Sequence, residues 1–203
     1  GWKITKKAFQ LKGFFFKFIL IFIKIMGKHI LFNNSRVNIC LERLAYQLLE
    51  NHNDFSETVL IGLQPRGKFL SQNILNVLKN KYSLQKLDYG YLDITFFRDD
   101  FRTKTDILIP NETNFKININ NKKVVFMDDV LYTGRTIRAA LTAIESFGRP
   151  KSIELLILVN RRYCRELPIQ ADSNGFNVDV YEDQKVCVNW SENNNYVYLE
   201  NIN

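Results

Sequence analysis

Two adjacent carboxylates, Asp128 and Asp129, end an apolar run that begins at Val124, and the turn Thr133-Gly134-Arg135-Thr136 follows shortly after. Beyond it, Ile137-Arg138-Ala139-Ala140-Leu141-Thr142-Ala143-Ile144 has helical spacing. A buried strand, a tight turn and a helix N-terminus bring backbone N–H groups, two threonine hydroxyls and the positive end of a helix to one point, a ready seat for a phosphate. Gly134 lets the backbone close around the anion. The two carboxylates add acceptors that a phosphate alone does not need, suited to sugar hydroxyls or to a magnesium ion. The spacing excludes a P-loop and a Gly-x-Gly-x-x-Gly dinucleotide turn. With only His29 and His52 in the chain, a histidine metal site or a histidine-based triad is also excluded.

The elements that must position these groups alternate. Arg36 to Glu50 carries apolar residues at helical spacing, and Thr58 to Leu63 reads as a short buried strand that ends in the turn Gln64-Pro65-Arg66-Gly67. Lys68 to Lys79 is predicted helical, and Tyr89 to Phe97 alternates like a half-buried strand. Arg98 to Asn121 is polar and aperiodic, the signature of a functional loop. The helix after Thr136 is expected to run to about Phe147 and to stop at Gly148-Arg149-Pro150. Ser152 to Val159 is a further apolar strand, and short strands are expected at Val178–Tyr181, Lys185–Trp190 and Tyr196–Glu200. This order predicts an α/β fold with a parallel sheet and a small appended β element.

At 203 residues the chain suits one domain, and its charge of +7 favours anionic partners. Cys40, Cys164 and Cys187 are too few and too scattered for a disulfide framework, which points to reduced, cytoplasmic thiols. Residues 1–26 differ from the rest: an apolar stretch broken by Lys17 and Lys24, short for a membrane span. A signal peptide, a membrane-surface helix, or an extension ahead of a natural start at Met26 are the three readings. The expected division is an atypical extension over 1–26 and one domain over 27–203, with no membrane partner.

Asp-Asp-Val-Leu-Tyr-Thr-Gly-Arg-Thr at 128–136 resembles the phosphoribosyl-diphosphate (PRPP) signature of type I phosphoribosyltransferases. The likeness extends to the PyrR family of pyrimidine-operon regulators with uracil phosphoribosyltransferase activity. Leu92 to Asp100, Phe147 to Pro150 and Arg165-Glu166-Leu167-Pro168-Ile169 carry it, in matching order from about Ser35 onward. The resemblance implies the type I phosphoribosyltransferase fold: a central, mostly parallel sheet flanked by helices, a small β-rich hood and a flexible loop. Purine enzymes of the hypoxanthine type usually place an aspartate just before the Thr-Gly; Tyr132 stands there instead and argues for a pyrimidine.

Carried over, the family's roles assign Asp128 and Asp129 to the ribose hydroxyls, directly or around Mg²⁺. Thr133, Gly134, Arg135 and Thr136 would hold the 5′-phosphate, and Arg66 with Gly67 the diphosphate, in a loop of unusual backbone geometry. Arg98 begins the loop expected to close over the site. Tyr132, Asn160 and Arg161 fall where the base is recognised. The implied partners are PRPP, uracil and UMP or UTP, in a homo-oligomer of two or more subunits. An alternative use of the same pocket is to sense UMP or UTP while the protein binds the leader mRNA of pyrimidine genes. For that role the chain keeps Arg43 and has Lys151, Arg161, Arg162 and Arg165, but has Glu42, Tyr46 and Asn51 where the family's first helix is typically more basic or hydroxyl-bearing. Further on it has Gln170, Phe176 and acidic Asp179, Glu182 and Asp183, with Asn160 replacing the usual aspartate.

Overall fold

The computed structural model describes residues 28–84, 86–97, 117–181, 183–192 and 194–202. The expectations placed on residues 1–26, Arg98, the loop segment 99–116 and Glu182 lie outside them.

The chain forms β1 (Lys28–Phe32), α1 (Asn34–His52), β2 (Thr58–Gln64), α2 (Gly67–Tyr82), β3 (Asp88–Asp93), β4 (Lys123–Leu131), α3 (Arg135–Ile144), β5 (Ser152–Arg161), β6 (Ser173–Val178), β7 (Gln184–Asn189) and β8 (Tyr196–Asn201). β3-β2-β4-β5-β6 is a five-stranded sheet, parallel throughout. Its strands alternate between two cores. Leu60, Val125, Met127, Leu156 and Leu158 face α1 and α2. Val59, Ile61, Val124, Phe126, Leu155 and Ile157 face α3. A sheet covered on both faces needs apolar residues at successive positions, which is why these strands read as continuous apolar runs. A separate antiparallel sheet, β1-β8-β7, forms the hood, and its Val186, Val188 and Val197 extend the α1–α2 core. Among the described residues no helix is long and apolar enough to cross a membrane.

The chain runs from β2 outward to β3 and then back to β4 on the other side of β2. The switch point of the sheet therefore lies between β2 and β4, where open α/β sheets bind ligands. The register shows how the crevice opens. β2 and β4 pair from Thr58↔Lys123 to Gly62↔Met127 and no further. Beyond that level β2 stays with β3 as far as Gln64↔Asp93, while β4 continues with β5 from Asp128↔Ile157 to Leu131↔Asn160.

Several boundaries differ from the sequence-based expectation. The strand expected to reach Phe97 stops at Asp93, whose Oδ1 accepts from the Thr95 N–H at 2.8 Å and turns the chain into a short 3₁₀ helix at Thr95–Phe97. β5 continues two residues past Val159, so Asn160 and Arg161 lie within the strand. The strand expected at Val178–Tyr181 lies earlier, at Ser173–Val178. Its polar sequence hides it, but Arg43 on α1 donates to the Asn174 and Gly175 carbonyls at 3.0 and 2.8 Å and so caps this outer edge.

At the opposite end of the sheet from the crevice, α1 is fastened by His52, whose side chain is wholly buried. Its Nδ1 lies 3.1 Å from Thr58 Oγ1, and its Nε2 3.3 Å from Glu154 Oε2, with Lys123 also nearby. Burial holds the imidazole below its ordinary value, against the pull of Glu154 and with a smaller push from Lys123. The unfolded chain therefore binds this proton more readily. The joint contributes its full stability above pH about 6.5 and loses it as the pH falls through the folded value. Thermal melts of the wild type should lose stability on acidification from pH about 7 to about 5, and His52→Gln should flatten that loss. Parallel pH profiles for the two proteins would refute this account.

Candidate active site

The turn after β2 carries the first two site residues. The Gln64–Pro65 peptide bond is cis. Arg66 follows, and its Nε donates to Asp129 Oδ2 at 2.6 Å while its Nη2 donates to the Val188 carbonyl of the hood at 2.7 Å. Gly67 starts α2 against the backbone of β4. A Cβ there would stand 2.2 Å from the Met127 carbonyl oxygen and 3.0 Å from Asp128 Cα. The glycine is thus required by close approach, at the level where β2 and β4 part.

Both carboxylates end up at the carboxyl end of β4, nearly excluded from solvent: Asp128 is 7% exposed and Asp129 3%. Asp128 Oδ1 accepts from the Asp129 N–H at 2.9 Å. Burial pushes the Asp129 carboxyl above the usual range, and the Arg66 guanidinium pulls it back only in part. The Trp190 indole N–H, buried on the same side, adds a favourable dipole without full hydrogen-bond geometry.

The turn itself has the expected form. Gly134 sits at φ 94° and caps α3, a conformation that side-chain-bearing residues avoid. Arg135 does not turn its guanidinium inward: its Nε donates to Glu166 Oε2 at 2.6 Å. Leu167 and Ile169 pack on Gly134, where a Cβ would come within 3.3 Å of each.

One cavity of about 310 Å³ gathers Arg66, Asp128, Asp129, Tyr132, Thr136 and Arg161. Tyr132 lies beneath the Arg161 guanidinium, 4.0 Å from Cζ to the ring centroid. Arg161 is 4% exposed, and its Nε has no hydrogen-bond partner. Thr133, Gly134 and Arg135 shape the turn that brings Thr136 to the cavity, and Gly67 seats the loop that brings Arg66. Asn160 is separated from the others. It lines a second depression with Arg162, Arg165 and Gln170, where its side chain bonds to Asn177 and Arg165. Arg98 lies outside the described residues. Sequence reasoning missed Lys185, Val186, Cys187 and Ile202, which form the cavity's hood side. For the first three the only signal was the strand pattern at Lys185–Trp190, which carries no chemical motif, and Ile202 lies just beyond the strand expected at Tyr196–Glu200. Of the cations considered for RNA, Arg162 pairs with Asp179, and Arg43 and Arg165 are engaged by carbonyl groups.

Residues 29–192 match the phosphoribosyl transferase domain, so the fold and the site define a phosphoribosyltransferase. The bifunctional protein PyrR of Caldicellulosiruptor bescii is 39% identical over 170 residues, covering 83% of this chain and 92% of that protein. The PyrR protein of Ligilactobacillus salivarius is 40% identical over 165 residues, covering 80% and 91%. The chain belongs to the PyrR family. Among solved structures it resembles a hypoxanthine phosphoribosyltransferase from Staphylococcus aureus, with a TM-score of 0.59, 17% identity, and 75% and 79% of the two chains covered. The Trypanosoma cruzi hypoxanthine phosphoribosyltransferase gives a TM-score of 0.60 at 15% identity, covering 75% and 78%. At such identities the likeness establishes the fold and leaves the base open.

Gly67→Ala should cost about 1–3 kcal/mol of stability, because the added methyl meets the β4 backbone. Urea denaturation measures this, and an unchanged midpoint would show that the two segments separate freely.

Proposed function

We propose that this phosphoribosyltransferase makes UMP and diphosphate from uracil and PRPP. The reading rests on Tyr132, stacked under a buried arginine in the wall of the cavity that also holds Arg66, both aspartates and Thr136. The Arg161 guanidinium in that wall suits the carbonyl oxygens of a pyrimidine dione, and Tyr132 occupies the position of the acid that purine enzymes direct at their ring. Three cations (Arg66, Arg161, Lys185) against two carboxylates also leave the cavity net positive for an anionic substrate.

In this mechanism the N1–C1′ bond forms as the C1′–O bond to diphosphate breaks, with loss of the N1 proton, through an oxocarbenium-like state. Thr136 and the N–H groups of the preceding turn hold the 5′-phosphate. Asp128 and Asp129 accept from the ribose hydroxyls, and their charge stabilises the cationic ring. Arg66 meets the departing diphosphate with a forked cation. The donor set fits Mg²⁺: two carboxylates, with no group of three or more His, Cys, Asp or Glu among the described residues that could form a closed cage. That ion favours a few carboxylates together with water and phosphate oxygens. When bound with PRPP it would neutralise charge on the leaving group.

Arg66 cannot serve diphosphate fully while it holds Asp129, so substrate binding exchanges one partner for another. Asp129→Asn should therefore bind inorganic diphosphate about tenfold more tightly than the wild type. Asp128→Asn removes the same charge without releasing Arg66 and should gain less; equal gains would argue against the exchange. The reaction itself is tested with labelled uracil, PRPP and Mg²⁺. UMP is expected, with little product from hypoxanthine or guanine. No UMP, or a comparable rate with a purine, would overturn the proposal.

A further inference from the structure

We propose that Arg165, with Glu166 and Leu167, positions the phosphate-binding turn by holding its carbonyl groups outward. The inference rests on the phosphoribosyl reading of the cavity and gives a role to the segment Arg165–Ile169, which lies outside that cavity's wall.

A turn that binds an anion through N–H groups must keep its carbonyl oxygens away from the same point, because a carbonyl dipole turned inward repels the ligand. Two successive carbonyls here are engaged from behind. Arg165 Nη1 donates to the Tyr132 carbonyl. The backbone N–H groups of Glu166 and Leu167 both donate to the Thr133 carbonyl, at 3.1 and 3.2 Å. Arg165 is itself anchored at the end of β5, its Nη2 donating to Asn160 Oδ1 at 2.7 Å and reaching the Arg161 carbonyl at 3.4 Å. Glu166 holds the Arg135 guanidinium, which leaves the turn's backbone as the inward-facing donor. Leu167 and Ile169 occupy the space left by the missing side chain of Gly134. Six contacts from one segment thus fix the orientation of the turn before any ligand arrives, and the diphosphate loop at Arg66 shares none of them.

That independence supplies the test. Binding of ribose 5-phosphate and of inorganic diphosphate is measured by calorimetry on the whole chain, as wild type, Arg165→Met, Arg165→Lys and Glu166→Gln. Arg165→Met should weaken ribose 5-phosphate about tenfold, the scale of a lost oriented hydrogen bond, and leave diphosphate within about twofold. Arg165→Lys, which keeps one donor, should recover part of the loss. In turnover, KM for PRPP should rise while kcat at saturation stays within about threefold. Equal weakening of both ligands, or no change in a variant that melts like the wild type, would overturn the inference. Should Arg165→Met fail to fold, Arg165→Lys decides by the same comparison, since it keeps a cation at this position while losing the guanidinium's paired reach to the Tyr132 carbonyl and Asn160. A wild type that binds no ribose 5-phosphate would defeat the phosphoribosyl reading as well. Binding with an unmoved ratio between the ligands would defeat this inference alone.

Discussion

The parting of β2 from β4 above Gly62 and Met127 is the constraint on which the rest of the site depends. Below that level the strands share a ladder; above it each keeps only its outer neighbour. The gap must be filled or solvated, and here it is walled by the turn at Gln64–Gly67 on one side and by Asp128 to Thr136 on the other. Gly67 decides how narrow it is, because only a residue without a side chain lets α2 begin this close to the Met127 carbonyl. Neither loop needs a long excursion to reach the substrate. Both are strand ends, held by two apolar cores.

Electrostatics ties this crevice to its hood. Asp129 is too buried to carry its charge alone, and Arg66 both offsets that cost and donates to the Val188 carbonyl of β7. One side chain thus joins the turn after β2, the carboxyl end of β4 and the hood. Breaking a buried pair from one side leaves an uncompensated charge, so any ligand that takes Arg66 must come with a replacement for Asp129.

The central fold and the turn at 133–136 were legible because their determinants are local. Apolar runs declare buried parallel strands, and Gly134 followed by a helical pattern declares the turn. What escaped depends on distant pairing. β1 has no turn or capping motif to announce it as a strand and exists through β8, with Lys28 opposite Glu200. β6 is polar and depends on β5 and Arg43. Asn160 and Arg161 are adjacent in sequence and were assigned together to the base, yet successive residues of an extended strand point to opposite faces. Only Arg161 reaches the cavity. The hood residues Lys185, Val186 and Cys187 carry no motif, since a roof requires shape more than chemistry.

The hood has one more consequence. Its central strand, β8, is the last of the described strands along the chain, and it joins β1, the first of them, to β7. The sheet cannot form on a growing chain until Tyr196–Asn201 has left the ribosome, however early the parallel sheet collapses. Contacts of such long sequence separation form late in folding. A chain that stops short of β8 would leave the turn and both aspartates in a trough without its hood side, open to water.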